Sequence, residues 1–399
     1  MAKKASEPKS APKAKSIPRS RKELIQAIEA QRKSKVLTYV LSDRRNASAQ
    51  VAEDAVRPMY DHLLSFGKQS KIDLFLFSIG GHLEVPWRII STLREFSSEL
   101  AVLLPYKAMS AATLISLGAD EIVMGRKGEL GPIDPQLTIQ RGGGETAAQD
   151  TMSVEDVMSY LRFVKERAGL TDQQAIGDAI KPLADKLNPW VLGQISRISL
   201  HIREVARKLL TSRGQRGTSE EQRIQVIIET LAEKTYQHGH AIGRREAKEI
   251  GLNITNPNAV LEELMWELFC AYEEQMELRK PLDPRTFVPR QKDEHSENVV
   301  LGCIESAQLS HQFRAELHGK VERKPSPQLT LNLNLNLQLP AGFDPATLNA
   351  NAQQILQGMV AGAQSEIQKA VTQQIRDQMP VASYQMWTQN GSWTVADEW

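Results

Sequence analysis

Cysteine is scarce: the 399-residue chain has two, Cys270 and Cys303. Residues so far apart have no metal-ligand spacing and allow one bridge at most, which excludes a disulfide scaffold and a zinc module and suits a reducing compartment. Both are read as reduced core thiols, and neither a metal nor another cofactor is expected. Net charge is almost absent, since 49 basic residues face 48 acidic ones. The whole molecule therefore makes no electrostatic case for nucleic acid or an acidic membrane surface. No run reaches the roughly 18 to 20 apolar residues that span a bilayer, and the N-terminus lacks the apolar core of a signal peptide. The expectation is a soluble, cytoplasmic protein with no membrane span. No G-x-x-x-x-G-K-S/T loop occurs, so energy-dependent unfolding of a substrate would have to come from another protein.

What is present reads as α/β. Residues 1–22 are mostly Lys, Ser, Pro and Ala with little to bury. They cannot offset the entropy of ordering and are expected to be a disordered basic tail, either a solvated spacer or a loose tether. A short helix over 23–33 follows. From Lys35 strand and helix alternate: VLTYVLS, then the helix VAEDAVRPMYDHLLSFG, then the strand KIDLFLFSI leading into Gly80 and Gly81. The helix VPWRIISTLREFS, the strand ELAVLLP, a helix from Ser110 to Gly118 and the strand EIVMG complete the series. Short β-rich runs separated by helices indicate βαβ units with right-handed crossovers.

Residues 138–151 interrupt this order with three consecutive glycines and no apolar face. They are expected as an irregular loop, either a lid or an insertion without a role. A helical half follows, in which Val191, Ile195, Ile198, Ile202, Val205, Leu209 and Leu210 recur at three and four and mark a stripe buried within or between subunits. Arg245 to Leu252 is a short helix stopped by Gly251, and 257–279 is an amphipathic helix. Beyond Pro281, VVLGCIES and HQFRAEL read as paired strands, and Leu329 to Leu339 alternates leucine with polar residues at period two. A Gln/Ala-rich helix spans 344–378. Residues 281–379 are thus expected as a small C-terminal α+β appendage to a domain over 23–280, with 380–399 a flexible tail.

The chemistry centres on Tyr106 to Leu137. Ser110 lies among Ala108, Ala111 and Ala112 at the start of an apolar helical run, where backbone N–H groups point outward and favour developing negative charge. A serine in that place is either a nucleophile or an ordinary N-cap. Ile79-Gly80-Gly81, Lys107-Ala108-Met109-Ser110-Ala111-Ala112, the segment GADEIVM and the later REAKEIGL follow one another in an order that resembles the Clp-peptidase and crotonase fold. Within that fold the chain is most similar to the serine dehydrogenase proteinase family, of which ELGPIDPQ and NPWVLG are also characteristic. The resemblance covers about residues 35–280. It implies a ββα superhelix, a catalytic Ser110, and an oxyanion hole formed by the N–H groups of Ala111 and Gly81, with Gly80 freeing the backbone.

The chain departs from the family pattern at the base. Where Clp peptidases carry a histidine this sequence has Asp134, and where membrane-anchored relatives carry a lysine it has none, since no lysine lies between Lys127 and Lys165. A serine hydroxyl needs a base within hydrogen-bond reach. His238 or His240, just ahead of REAKEIGL, is one source, with Asp134 as an orienting carboxylate. A lysine of depressed pKa (Lys165, Lys181 or Lys186) is another. Three functions follow from the resemblance: a serine endopeptidase acting on protein or peptide substrates, an inactive Clp-fold scaffold or binding subunit, and an acyl-CoA-processing enzyme of the crotonase kind. Homo-oligomerisation is expected, with the striped helix from Pro189 as one surface for it.

Overall fold

The computed structural model describes residues 19–141, 148–213, 218–234, 239–289, 292–324, 349–397 and 399. Its first helix, α1 (Arg21–Arg32), opens on a reciprocal capping box between Ser20 and Glu23. That S-x-x-E pattern satisfies two N–H groups that would otherwise be orphaned, so the helix starts earlier than expected and takes Arg21 and Lys22 out of the tail. Residues 1–18 lie outside the described residues. Then come β1 (Lys35–Leu41), the small hairpin β2 (Asp43–Arg44) and β3 (Ala47–Ser48), α2 (Val56–Phe66), β4 (Gln69–Phe77), α3 (Val85–Phe96) and β5 (Ser97–Leu104). The short strand β6 (Lys107–Ala108), α4 (Ala111–Leu117), β7 (Glu121–Met124) and β8 (Glu129–Leu130) complete the first half.

The segment expected as an irregular loop is instead an antiparallel ribbon of β9 (Gln136–Arg141) and β10 (Ala148–Ser153). Leu137 and Met152, directly paired across it, pack on the cluster of Val154, Val157, Leu187 and Ile195, which gives the ribbon an apolar anchor. Its glycines lie outside the described residues. The helical half is α5 (Val154–Arg162), α6 (Gln173–Lys186), α7 (Pro189–Thr211) and α8 (Thr218–Glu229). On α7 the stripe is buried at Ile195, Ile202, Val205, Leu209 and Leu210, while Val191 and Ile198 are half-buried against the ribbon's cluster. The chain returns to the sheet through α9 (Arg244–Ile250), β11 (Ile254–Thr255) and α10 (Ala259–Gln275).

After α11 (Pro284–Phe287) come β12 (Glu294–Glu305), β13 (Ser310–Arg323), the long α12 (Ala350–Gln378) and β14 (Val381–Val395). One eight-stranded mixed sheet results, in the order β11-β7-β5-β4-β1-β12-β13-β14. The first five are parallel, and β12 joins β1 antiparallel. The paired strands expected from VVLGCIES and HQFRAEL are therefore present, and they extend the main sheet edge to edge. The expected flexible tail over 380–399 is corrected: most of it is β14, held because Met386 and Trp393 pack on the core and Trp387 stacks on His318. Leu329 to Leu339 lies outside the described residues. No helix among the described residues is long and apolar enough to cross a membrane.

Strand alternation sends side chains to two cores, as a parallel sheet covered on both faces requires. Leu37, Tyr39 and Leu41 of β1 join the core under α2, α3 and α4, whereas Val36 and Val40 join the one under α1 and α10. Two buried polar clusters tie the C-terminal strands to this body. Glu305 accepts from Arg21 at 2.9 Å, Tyr272 Oη at 2.7 Å and Ser310 Oγ at 2.9 Å. On the other face the imidazole of His62 lies 2.8 Å from Ser306 Oγ and 3.1 Å from His311 Nδ1.

Candidate active site

The site forms where the chain leaves the C-terminal ends of β4 and β5. Just past β4, Ser78 is fully buried; its N–H donates to Lys107 O and its carbonyl accepts from Met109 N–H, both at 3.0 Å. Its hydroxyl accepts the Gly80 N–H at 3.0 Å. The next residues pair with Val51: Val51 N–H donates to Gly80 O and His82 N–H to Val51 O, each at 2.8 Å. In such a bridge the residue between the two bonded neighbours turns its own N–H away from the partner, so Gly81 presents its N–H on the side opposite Val51. Both glycines are required. Gly80 has φ 105°, and a Cβ there would lie 2.8 Å from Met109 O and from Ser110 Cβ. Gly81 has φ 155°, and a Cβ would lie 2.4 Å from Val51 N and O. These contacts put Gly80 directly against Ser110 and Ala111.

Ser110 precedes α4 with φ 51° and ψ −114°. Met109 O accepts the Ala112 N–H at 2.9 Å, which makes residues 109–112 a type II′ turn with Ser110 in the position that glycine normally fills. A non-glycine residue held there carries about 1–3 kcal/mol of strain. The hydroxyl makes no capping bond, unlike that of Ser153 at α5, so the N-cap role does not account for this serine. Ser110 is half-buried and Ala111 fully buried. Among the described residues neither the Gly81 nor the Ala111 N–H has a backbone hydrogen-bond partner. At seven residues α4 is short, so these two N–H groups, more than a helix dipole, are the electropositive feature.

Thr113 fixes the far side of the turn. Its hydroxyl lies 2.7 Å from Ala108 O and 2.9 Å from Gly131 O and accepts the Gly131 N–H at 3.1 Å. A Cβ on Gly131 would lie 2.9 Å from Met109 Sδ, so the loop after β8 packs on the residue before Ser110. At the other end of α4, Arg213 donates to Leu117 O at 2.6 Å and Arg94 to Gly118 O at 2.9 Å. Burial pulls the Arg213 guanidinium down to about 10, partly opposed by Asp120.

Leu130 pairs antiparallel with Ile242 through bonds of 3.0 and 2.8 Å, which brings the 239–242 segment alongside the Gly131 loop. His240 and Asp134 are not bonded to each other: His240 Nε2 is 2.8 Å from Glu246 Oε1, while Asp134 accepts from Ser153 Oγ at 3.0 Å. The physical reason is local, since Asp134 abuts the capped start of α5 and Glu246 lies in the first turn of α9. His238 lies outside the described residues. Lys165, Lys181 and Lys186 are all exposed, and Lys181 pairs with Asp178 at 2.7 Å, so none stands in a desolvated setting. Among the described residues no side chain is hydrogen-bonded to Ser110 Oγ. Val51 and Thr113, which hold Gly81 and Ser110 in place, carried no signal in the sequence; Glu246 stood inside a recognised motif without a role.

Residues 8–148 match the family of ClpP-like SDH-type serine proteinases. The span contains Gly80, Gly81, Ser110, Ala111 and Asp134 and ends before His240. Two uncharacterized proteins of Methanocaldococcus jannaschii are similar in sequence. MJ0137 is 27% identical over 189 residues, 47% of this chain and 54% of that protein. MJ1495 is 39% identical over 66 residues, 16% of this chain and 23% of that protein. The chain thus spans about half the length of the first relative and about a quarter of the second. Two solved structures are of the 1510-N membrane-bound stomatin-specific protease. A serine-to-alanine mutant matches at TM-score 0.33 and 14% identity, over 58% of this chain and 85% of that one. A lysine-to-alanine mutant in complex with a substrate peptide matches at TM-score 0.31 and 14% identity, over 52% and 72%.

Proposed function

We propose that this chain is a serine endopeptidase of the Clp/crotonase-type ββα superhelix, cleaving peptide bonds in a protein or peptide substrate through an acyl-enzyme on Ser110. The observation that carries the reading is the juxtaposition at the turn: an uncapped serine hydroxyl in a glycine conformation, beside two N–H groups free of backbone partners. Ser110 Oγ attacks the scissile carbonyl carbon and gives its proton to a base. The carbonyl oxygen takes the negative charge and is held by the N–H groups of Gly81 and Ala111. Collapse expels the amine, which takes the proton from the base, and water then hydrolyses the ester by the reverse proton path.

The base we assign to the histidines ahead of α9; in support, the Leu130–Ile242 bridge sets residues 239–242 alongside the Gly131 loop. His240 is the first candidate, with Glu246 rather than Asp134 orienting its ring, and His238 the second. Catalytic hydrogen bonds often tighten only when substrate binds. Alanine variants at 110, 238 and 240, assayed on an unfolded protein substrate, test the assignment. Loss of cleavage in Ser110→Ala and a fall of about 10²-fold or more in one histidine variant support it. Cleavage that survives Ser110→Ala overturns it. Among the described residues no base is bonded to Ser110, which favours one second reading, an inactive Clp-fold scaffold; it predicts no cleavage and no labelling of Ser110 by a fluorophosphonate.

A further inference from the structure

We infer that the C-terminal unit, β14 with α12, is a homodimerisation surface that a second copy of this chain occupies about a two-fold axis. The inference stands independently of the peptidase reading. β14 is the terminal strand of the sheet, so one of its edges is unpaired among the described residues. Natural edge strands are normally blunted by charge or proline or kept short. Over Val381–Val395 there is no charged residue and no proline. Register shifts opposite Arg314 and Glu316, where Asn390 has φ 56°, and opposite Glu322 and Arg323 interrupt its two ends and leave Ser383 to Gln389 continuous.

The helix that leads into this strand has no buried face among the described residues either. α12 has 29 residues, and none of those whose burial is described is buried. Helices in water owe most of their stability to a packed face, and α12 carries an apolar stripe at helical spacing, with Ile355, Met359 and Ile367 exposed and Leu356 and Val360 half-exposed. It is held at its C-terminal end, where Arg376 meets Asp293 at 3.2 Å. Its few charges are already neutralised, as in Lys369 with Glu366 at 3.0 Å, so nothing on helix or strand repels a like copy.

The area selects a copy that covers both elements. A seven-residue edge is about 24 Å long and a 29-residue helix about 44 Å. With strips about 10 Å wide the two together offer about 700 Å² per copy, near the roughly 800 Å² per partner of a stable complex; neither reaches it alone. An antiparallel β14–β14 pair is self-complementary, so it closes as a two-fold dimer.

Sedimentation of the full chain over a concentration series, with single cysteines at Ser383, Gln385 and Trp387, tests this. A residue near the axis faces its own copy, with Cβ atoms about 4.5–5.5 Å apart. The expected result is a dimer that one of the three variants crosslinks on oxidation, and that Met359→Asp with Ile367→Asp weakens about tenfold or more without change in circular dichroism. A chain monomeric throughout, with β14 amides protected from hydrogen exchange, overturns the inference and points to residues 329–339 of the same chain as the occupant. A dimer indifferent to both sets of variants overturns it equally.

Discussion

Replacing Ser110 by glycine and by alanine separates two accounts of the serine through the sign of a stability change. If Ser110 were an ordinary N-cap, alanine would cost about 0.5–2 kcal/mol and glycine a few tenths, both destabilising. In the structure the hydroxyl caps nothing and the backbone stands at φ 51°, ψ −114°. Alanine then removes no capping bond and keeps the strain, so its effect is near zero. Glycine releases about 1–3 kcal/mol of strain and gives back about 0.5–1 kcal/mol through the freer unfolded chain. The expected net is about 0.5–2 kcal/mol of added stability. Urea unfolding of the three proteins reads it: with a slope of about 3 kcal/mol/M, Ser110→Gly moves the midpoint up by about 0.2–0.7 M. Ser110→Gly less stable than wild type, with Ser110→Ala lower still, would refute the strained-turn reading and restore the N-cap.

Gly81→Ala drives a Cβ to 2.4 Å from the Val51 backbone; it should displace the Gly81 N–H and cut peptide hydrolysis about 10²- to 10³-fold, read beside circular dichroism unchanged from wild type. The His62 cluster makes the fold acid-sensitive. Burial, and to a lesser degree neighbouring His311, pushes His62 from 6.5 down to about 3. The unfolded chain therefore binds a proton near pH 6.5 that the native state refuses until near pH 3, and stability falls as pH drops through that window, by about 2 kcal/mol at pH 5. Urea midpoints at pH 7 and pH 5 should differ accordingly, and His62→Asn should flatten the difference. Glu305→Ala strands the Arg21 guanidinium beside Tyr272 and Ser310 and should cost about 3–5 kcal/mol; a urea midpoint within error of wild type would remove that cluster from the account.

Strands β1, β4, β5 and β7 were legible because each is a short apolar run bounded by turn residues, and α4 and α9 because small residues or a terminal glycine mark them. The β9–β10 ribbon was not, since glycines dominated its composition while its anchor, Leu137 against Met152, exists only once the helices after it are packed. The uncharged run after Pro380 read as a tail because its partner, β13, lies more than fifty residues upstream and its pairing is long-range. At the site, Gly80, Gly81 and Ser110 were found together from order along the chain. The departure of Asp134 from the expected histidine was visible too. The partner of His240 was not, because it depends on where two segments come to rest: Glu246, in the first turn of α9, lies 2.8 Å from its Nε2. Val51 acts through backbone pairing alone, which leaves no mark in residue type.

The most direct measurement is covalent. The full chain is treated with a fluorophosphonate and digested, and the adduct is located by mass spectrometry, with Ser110→Ala as the control. The account predicts one adduct, on Ser110, absent from the alanine variant and reduced in parallel with peptide cleavage by Gly81→Ala. Cleavage activity that persists while Ser110 stays unlabelled, or an adduct on another serine, would contradict it.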